Sequence, residues 1–245
     1  MRTSVIPPRD RLIVALDVPT AQAARDVIRQ LGDSVNFYKI GLQLFAAEGP
    51  AVVRELKAAG RKIFLDLKLH DIPNTVASAV RSINSLDVDL LTIHAAGGLQ
   101  MMKAAVQAAS SASKPPKILA VTVLTSFTDE DLSTIGVPSA TMHQVPRMAA
   151  LARDAGCCGV VSSALEVAML RRQFGDALVI LVPGVRPKGS AAGDQARTAE
   201  PAEAIRAGAS YLVVGRPITA TDDKRAAAEA IQEEISSALR QAVLK

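Results

Sequence analysis

The chain has 245 residues, 49% of them hydrophobic and 21% charged, which is enough to bury a large core and falls in the range that α/β barrels cover as one domain, 1–245. With 3% aromatic residues, no Trp and a net charge of +4, it lacks the stacking platforms of a nucleic-acid binder and suits a small anionic ligand instead. Residues 1–10 form no apolar signal segment, and no later apolar run approaches the roughly 20 residues that cross a bilayer, so a cytoplasmic protein, neither secreted nor held in a membrane, is expected.

Leu12–Asp17 is a continuous apolar run ending in a carboxylate, the pattern of a parallel strand buried on both faces. A helix is predicted from Thr20 to Leu31, stopped by Gly32. Phe37–Gly41 is the second strand and carries Lys39; a helix over Ala51–Ala59 follows, ending at Gly60. The third strand is Lys62–Lys68. Its Asp66 and Lys68 are two residues apart, so strand alternation places both on one face and Leu65, Leu67 and Leu69 on the other. A lone Asp-x-Lys pair is ordinarily a solvated salt bridge of little energetic consequence. Here Ile63, Phe64, Leu65 and Leu67 point to burial, where charges are costly unless paired and used. Asp71 lies just past the strand. Ile72-Pro73-Asn74-Thr75 reads as a turn into a helix over Asn74–Leu86, with a polar residue as its cap.

Leu90–His94 is the fourth strand, and Gly97 and Gly98 open a helix through Ser110. Ile118–Leu124 is the fifth, ending in Thr125 and Ser126, with a polar loop and a helix over Thr141–Ala155 after it. Cys157 and Cys158 are adjacent, a poor arrangement for a mutual disulfide, and no Cys/His spacing suits a zinc site. Reduced thiols and no metal are therefore expected. Gly159–Ser162 gives the sixth strand, Ala164–Phe174 its helix and Leu178–Val182 the seventh. Pro183–Gln195 is a long polar segment with three glycines, the composition of a lid or binding loop. A short helix over Pro201–Ala207, an eighth strand over Tyr211–Gly215 and a helix over Asp223–Leu244 complete the chain.

Eight strand-helix units without a break in composition predict a closed (β/α)8 TIM barrel; the alternative, an open doubly wound sheet, has no GxGxxG or P-loop motif in its favour. In a barrel the active site lies at the carboxyl ends of the strands, where Asp17, Lys39, Asp66, Lys68, His94, Thr125 and Arg216 fall. Gly215-Arg216 alone is an ordinary turn. After an eighth strand, beside a Gly-rich loop following the seventh, it marks a phosphate site. Asp17, Lys39, Asp66, Lys68 and Asp71 alternate in sign, so each lysine has carboxylate neighbours that favour its ammonium form. Lys68 is then an acid rather than a nucleophilic amine, which disfavours Schiff-base chemistry and favours protonation or stabilisation of a carbanion. The residues by themselves lead to a phosphorylated substrate, an anionic intermediate and a lysine proton donor.

Three stretches carry a family resemblance: Asp66-Leu-Lys-Leu-His-Asp-Ile-Pro-Asn-Thr75, Pro183-Gly-Val-Arg-Pro-Lys-Gly and Gly193-Asp-Gln-Ala-Arg. From Leu12 to the terminal helix the chain resembles the bacterial-type orotidine 5′-phosphate decarboxylases. The resemblance implies decarboxylation of orotidine 5′-monophosphate to uridine 5′-monophosphate in pyrimidine biosynthesis, without metal or organic cofactor. It implies that Lys68 protonates pyrimidine C6, that Asp66 lies against the substrate carboxylate, and that Lys39 belongs to the same array and, with Asp17, binds ribose hydroxyls. Thr125, with Ser126 close by, would address the pyrimidine edge, Gln195 would bridge base and phosphate, and Arg186, Gly215 and Arg216 would hold the phosphate. Asp71, Ile72 and Thr75 would reach the neighbouring subunit's site in a homodimer. His70 and His94 have no implied catalytic role; packing or hydrogen bonding is expected of them. Related barrels acting on sugar phosphates share a shorter Asp-x-Lys-x-x-Asp pattern, so a sugar-phosphate decarboxylase or aldolase is the alternative. A barrel that only binds a nucleotide is a third reading.

Overall fold

A computed structural model describes residues 6–187 and 199–243. Eight parallel strands close into a barrel in sequence order, β1 Leu12–Ala15, β2 Phe37–Gly41, β3 Lys62–Leu69, β4 Leu90–His94, β5 Lys117–Val121, β6 Gly159–Val161, β7 Val179–Val182 and β8 Tyr211–Val214. β8 returns to β1 with Leu12 opposite Leu212 and Val14 opposite Val214. The open-sheet alternative is thereby set aside.

The apolar runs do two jobs because every strand is buried on both faces. Ile13, Ala15, Phe37, Phe64, Leu90, Leu119, Val121, Val161, Val179, Leu181, Tyr211 and Val213 point inward and fill the barrel. Their neighbours one residue along, such as Val14, Ile40, Leu65, Leu91, Ile180 and Leu212, point outward into the layer beneath the helices. Leu67 and Leu69 join that outer layer, as alternation requires. The inner set stops short of the carboxyl ends, and the next inward positions are Asp17, Lys39 and Asp66. β6 and β7 approach so closely that a Cβ at Gly159 would lie 2.1 Å from the Val179 carbonyl oxygen, a contact only glycine avoids.

Helices cover the barrel. α1 Ala21–Leu31 starts where Thr20 Oγ1 accepts the Ala23 N–H and stops at Gly32, φ 56°. The segment after β2 differs from the sequence expectation: it forms two helices, α2 Leu42–Glu48 and α3 Pro50–Ala58. Gly49 at φ 62° followed by Pro50 turns the chain between them. α4 Pro73–Ile83 begins on Pro73 with Ile72 at the cap position and no side-chain cap, contrary to the expected polar cap. Proline itself needs no partner for a first-turn N–H, which makes the cap dispensable. α5 Gly98–Ala109 follows β4. The polar loop after β5 holds an unexpected short helix, α6 Asp129–Thr134, built on a capping box between Thr128 and Asp131. α7 Thr141–Asp154, α8 Ala164–Phe174, α9 Pro201–Arg206, the unforeseen single turn α10 Arg216–Thr219, and α11 Lys224–Val243 complete the layer. Among the described residues no helix is long and apolar enough to cross a membrane.

Candidate active site

A cavity of about 450 Å³ opens at the carboxyl ends of the strands. Its floor is the top of the barrel core, Ala15, Phe64, Val161, Leu181 and Val213. Its rim brings together Asp17, Lys39, Asp66, Lys68, Thr125, Ser126, Arg186, Gly215 and Arg216. Apolar floor and charged rim suit a flat ring carrying anionic groups. A smaller cavity of about 370 Å³ lies at the opposite end of the barrel, among the first residues of β2 to β5 and β8. Six of the charged side chains that line it form pairs, Lys62 with Asp10 at 2.7 Å, Lys57 with Asp89 at 2.9 Å and Lys114 with Asp87 at 3.2 Å. That end of a barrel serves stability.

The rim charges form an alternating line. Lys39 Nζ lies 2.6 Å from Asp17 Oδ1 and 3.8 Å from Asp66 Oδ2, and Lys68 Nζ donates to Asp66 Oδ2 at 2.8 Å. Lys39 and Asp66 are 8% and 9% exposed. Burying an isolated ion costs several kcal/mol even after relaxation, so this pair is tolerable only because each carries a partner. Gly41 makes the line possible: a Cβ there would sit 2.7 Å from Lys39 Nζ and 2.8 Å from Asp17 Oδ1.

Lys68 arrives by a route that alternation alone does not describe. Its φ is 49°, and the pairing of β3 with β4 slips between Leu65 and Leu69. A left-handed conformation costs a residue with a Cβ about 1–2 kcal/mol. The irregularity aims the ammonium into the mouth of the barrel. Thr92, fully buried on β4, touches both partners: its Oγ1 accepts the Lys68 N–H at 2.9 Å and donates to Asp66 Oδ1 at 2.9 Å. Sequence reasoning missed Thr92. Its signal was a polar residue at an inward position among Leu90, Leu91 and Ile93.

Asp71, Ile72 and Thr75 do not join this cavity. All three are exposed; the Asp71 carboxylate accepts the Ile72 N–H at 2.6 Å, and among the described residues no cation approaches it. Within the single chain, the turn after β3 carries Asp71 outward, away from the line formed by Asp17, Lys39, Asp66 and Lys68. Gln195 lies outside the described residues, as do Gly193 and most of the loop after β7. His94 stacks on His70, centroids 5.2 Å apart, and its Nδ1 accepts the Ala96 N–H at 3.4 Å. Burial, with the nearby His70 and Lys68, lowers its pKa and favours the neutral imidazole.

Fold and rim together define a barrel enzyme with a lysine-carboxylate array at the strand ends and two arginines, Arg186 and Arg216, after β7 and β8. The family model described as orotidine 5′-phosphate decarboxylase / HUMPS family matches residues 10–231. A protein named orotidine 5′-phosphate decarboxylase from Rhodopseudomonas palustris is 54% identical over 230 residues, covering 94% of this chain and 96% of that protein. One of the same name from Moorella thermoacetica is 50% identical over 233 residues, covering 93% and 92%. The crystal structure of orotidine 5′-phosphate decarboxylase from Lactobacillus acidophilus superposes with a TM-score of 0.83 at 39% identity, covering 92% of this chain and 99% of that one. The chain belongs to the orotidine 5′-phosphate decarboxylase / HUMPS family.

Proposed function

We propose that this chain converts orotidine 5′-monophosphate to uridine 5′-monophosphate and carbon dioxide in pyrimidine biosynthesis, with Lys68 as the proton donor. The observation that carries the reading is the buried Asp66 carboxylate between two ammonium groups, Lys68 Nζ at 2.8 Å and Lys39 Nζ at 3.8 Å, directly above an apolar floor. A pyrimidine ring rests on that floor with its carboxylate toward Asp66. Two like charges there raise the ground state, and departure of neutral carbon dioxide relieves them. The C6–carboxylate bond breaks, its electron pair stays on C6 facing the Lys68 ammonium, and Nζ delivers the proton; the neutral amine is recharged from solvent. Lys39 and Asp17 hold the ribose hydroxyls, and Thr125 and Ser126 the pyrimidine edge. Arg186, Gly215 and Arg216 hold the phosphate, with Gln195 bridging base and phosphate. No step uses a metal or organic cofactor. Turnover is tested by following the ultraviolet spectrum of orotidine 5′-monophosphate with the purified protein. Complete conversion to the uridine nucleotide is expected, and an unchanged spectrum at high enzyme concentration would refute the reading.

Arg216→Ala is expected to lower kcat/KM, because a phosphate contact supplies binding energy remote from C6. Loss of one charge-assisted contact corresponds to about 2–4 kcal/mol. Comparison with unphosphorylated orotidine checks the role: equal losses for both substrates would remove Arg216 from the phosphate site.

The proposal extends to a homodimer of one-domain chains in which Asp71, Ile72 and Thr75 complete the partner's site. Ile72 is 67% exposed and Leu42, just past the β2 residue that pairs with Asp66, is 60% exposed. Apolar groups beside a charged mouth suit burial against a second copy. A cytoplasmic setting suits the two free cysteines, since burial pushes the Cys157 thiol up to about 12 and keeps it unreactive.

A further inference from the structure

The β3–β4 pair is irregular at one place. Leu65 pairs with Leu91 and Leu69 with Ile93, so Asp66, Leu67 and Lys68 together stand opposite Thr92. Residues in excess at such a bulge lose their ladder partners. The Lys68 N–H is satisfied by a side chain, Thr92 Oγ1 at 2.9 Å. A hydroxyl has one proton to donate, and Thr92 gives its proton to Asp66 Oδ1 at 2.9 Å. That leaves Asp66 Oδ2 turned toward Lys68 Nζ at 2.8 Å and Lys39 Nζ at 3.8 Å. The links form a closed ring, from the Lys68 main chain through Thr92 and Asp66 back to the Lys68 ammonium.

We propose that Thr92 is a positioning residue for the proton transfer, its hydroxyl holding both the left-handed backbone of Lys68 and the rotamer of Asp66. Thr92 is fully buried and does not line the cavity, so it acts through these two residues and has no contact with substrate. Filling space is not its main task. Valine would occupy nearly the same volume yet leave the Lys68 N–H and the buried Asp66 Oδ1 without their partner at a position that is fully buried. With that anchor gone, Lys68 can relax from φ 49° toward ordinary strand geometry, carrying its ammonium away from C6. The inference rests on Lys68 as proton donor and adds what holds it there.

The test compares Thr92→Val, Thr92→Ser and Lys68→Ala with the unaltered protein, measuring kcat and KM for orotidine 5′-monophosphate and equilibrium binding of uridine 5′-monophosphate. Thr92→Val is expected to lose about 10²-fold in kcat, the scale of a misplacement of one ångström at a reacting group. KM and product affinity should stay within about threefold, and Thr92→Ser should restore kcat to within about threefold of the parent. Equal kcat losses in the valine and serine variants would make packing the role and overturn the proposal. So would unchanged kcat in Thr92→Val alongside an inactive Lys68→Ala, which leaves the proton-donor reading intact. Full turnover in Lys68→Ala would overturn both together. If Thr92→Val does not fold, Thr92→Cys, nearly the same size with a weak S–H donor, replaces it. A kcat below that of Thr92→Ser supports the role, and one equal to the parent removes it.

Discussion

Lys68→Ala is expected to reduce kcat by at least about 10³-fold while leaving the protein folded, because one side chain supplies both the charge facing the developing carbanion and its proton. The figure is a floor taken from the loss of a single neutral preorganised donor; Lys68 is charged and also transfers the proton. Survival of the fold follows from the remaining contacts of Asp66. Its Oδ1 keeps the Thr92 hydroxyl at 2.9 Å and its Oδ2 keeps Lys39 at 3.8 Å, so the buried carboxylate is not stranded. Lys68 itself is only half-buried, with 32% of its side chain exposed, and its stem is no part of the barrel core. Thermal unfolding close to that of the parent, together with retained binding of uridine 5′-monophosphate, establishes that the variant is intact. A kcat near the parental value in that protein would remove Lys68 from the chemistry.

Most of the barrel was legible because each strand is an apolar run buried on both faces and ended by a charge or a turn, a pattern that needs no tertiary information to see. The inward positions Asp17, Lys39 and Asp66 follow from the same alternation that buries Ala15, Phe37 and Phe64. Legibility failed where local sequence is neutral between outcomes. Leu42–Glu48 is a helix of only 7 residues, stopped at Gly49, and the helical stretches Asp129–Thr134 and Arg216–Thr219 are shorter still, too short to show periodicity. Lys68 lay on the right strand, but its φ of 49° depends on the slip between β3 and β4, a property of two strands at once. Thr92 stood out only as a polar residue among Leu90, Leu91 and Ile93; its importance lies in what it touches across the ladder.

Mixing two inactive variants, Lys68→Ala and Asp71→Ala, is expected to regenerate activity. The two residues are three apart in sequence, yet Lys68 lines its own chain's cavity whereas Asp71 is exposed and turned away from it. If Asp71 serves the partner's site across a two-fold axis, a mixed dimer contains one site with both lesions and one with neither. Random reassortment of equal amounts makes half the dimers mixed, so about a quarter of all sites are intact, as isologous symmetry requires. Each variant alone should be almost inactive, Lys68→Ala for want of a donor and Asp71→Ala because the array loses a charge contributed from outside. The experiment dissociates both proteins, recombines them in varying proportions and titrates activity against composition. A maximum at equal proportions, at about a quarter of the parental activity, supports the shared site. Activity that stays at the sum of the separate variants, with mixed dimers verified by mass, would return Asp71 to its own chain and take the second subunit out of the mechanism.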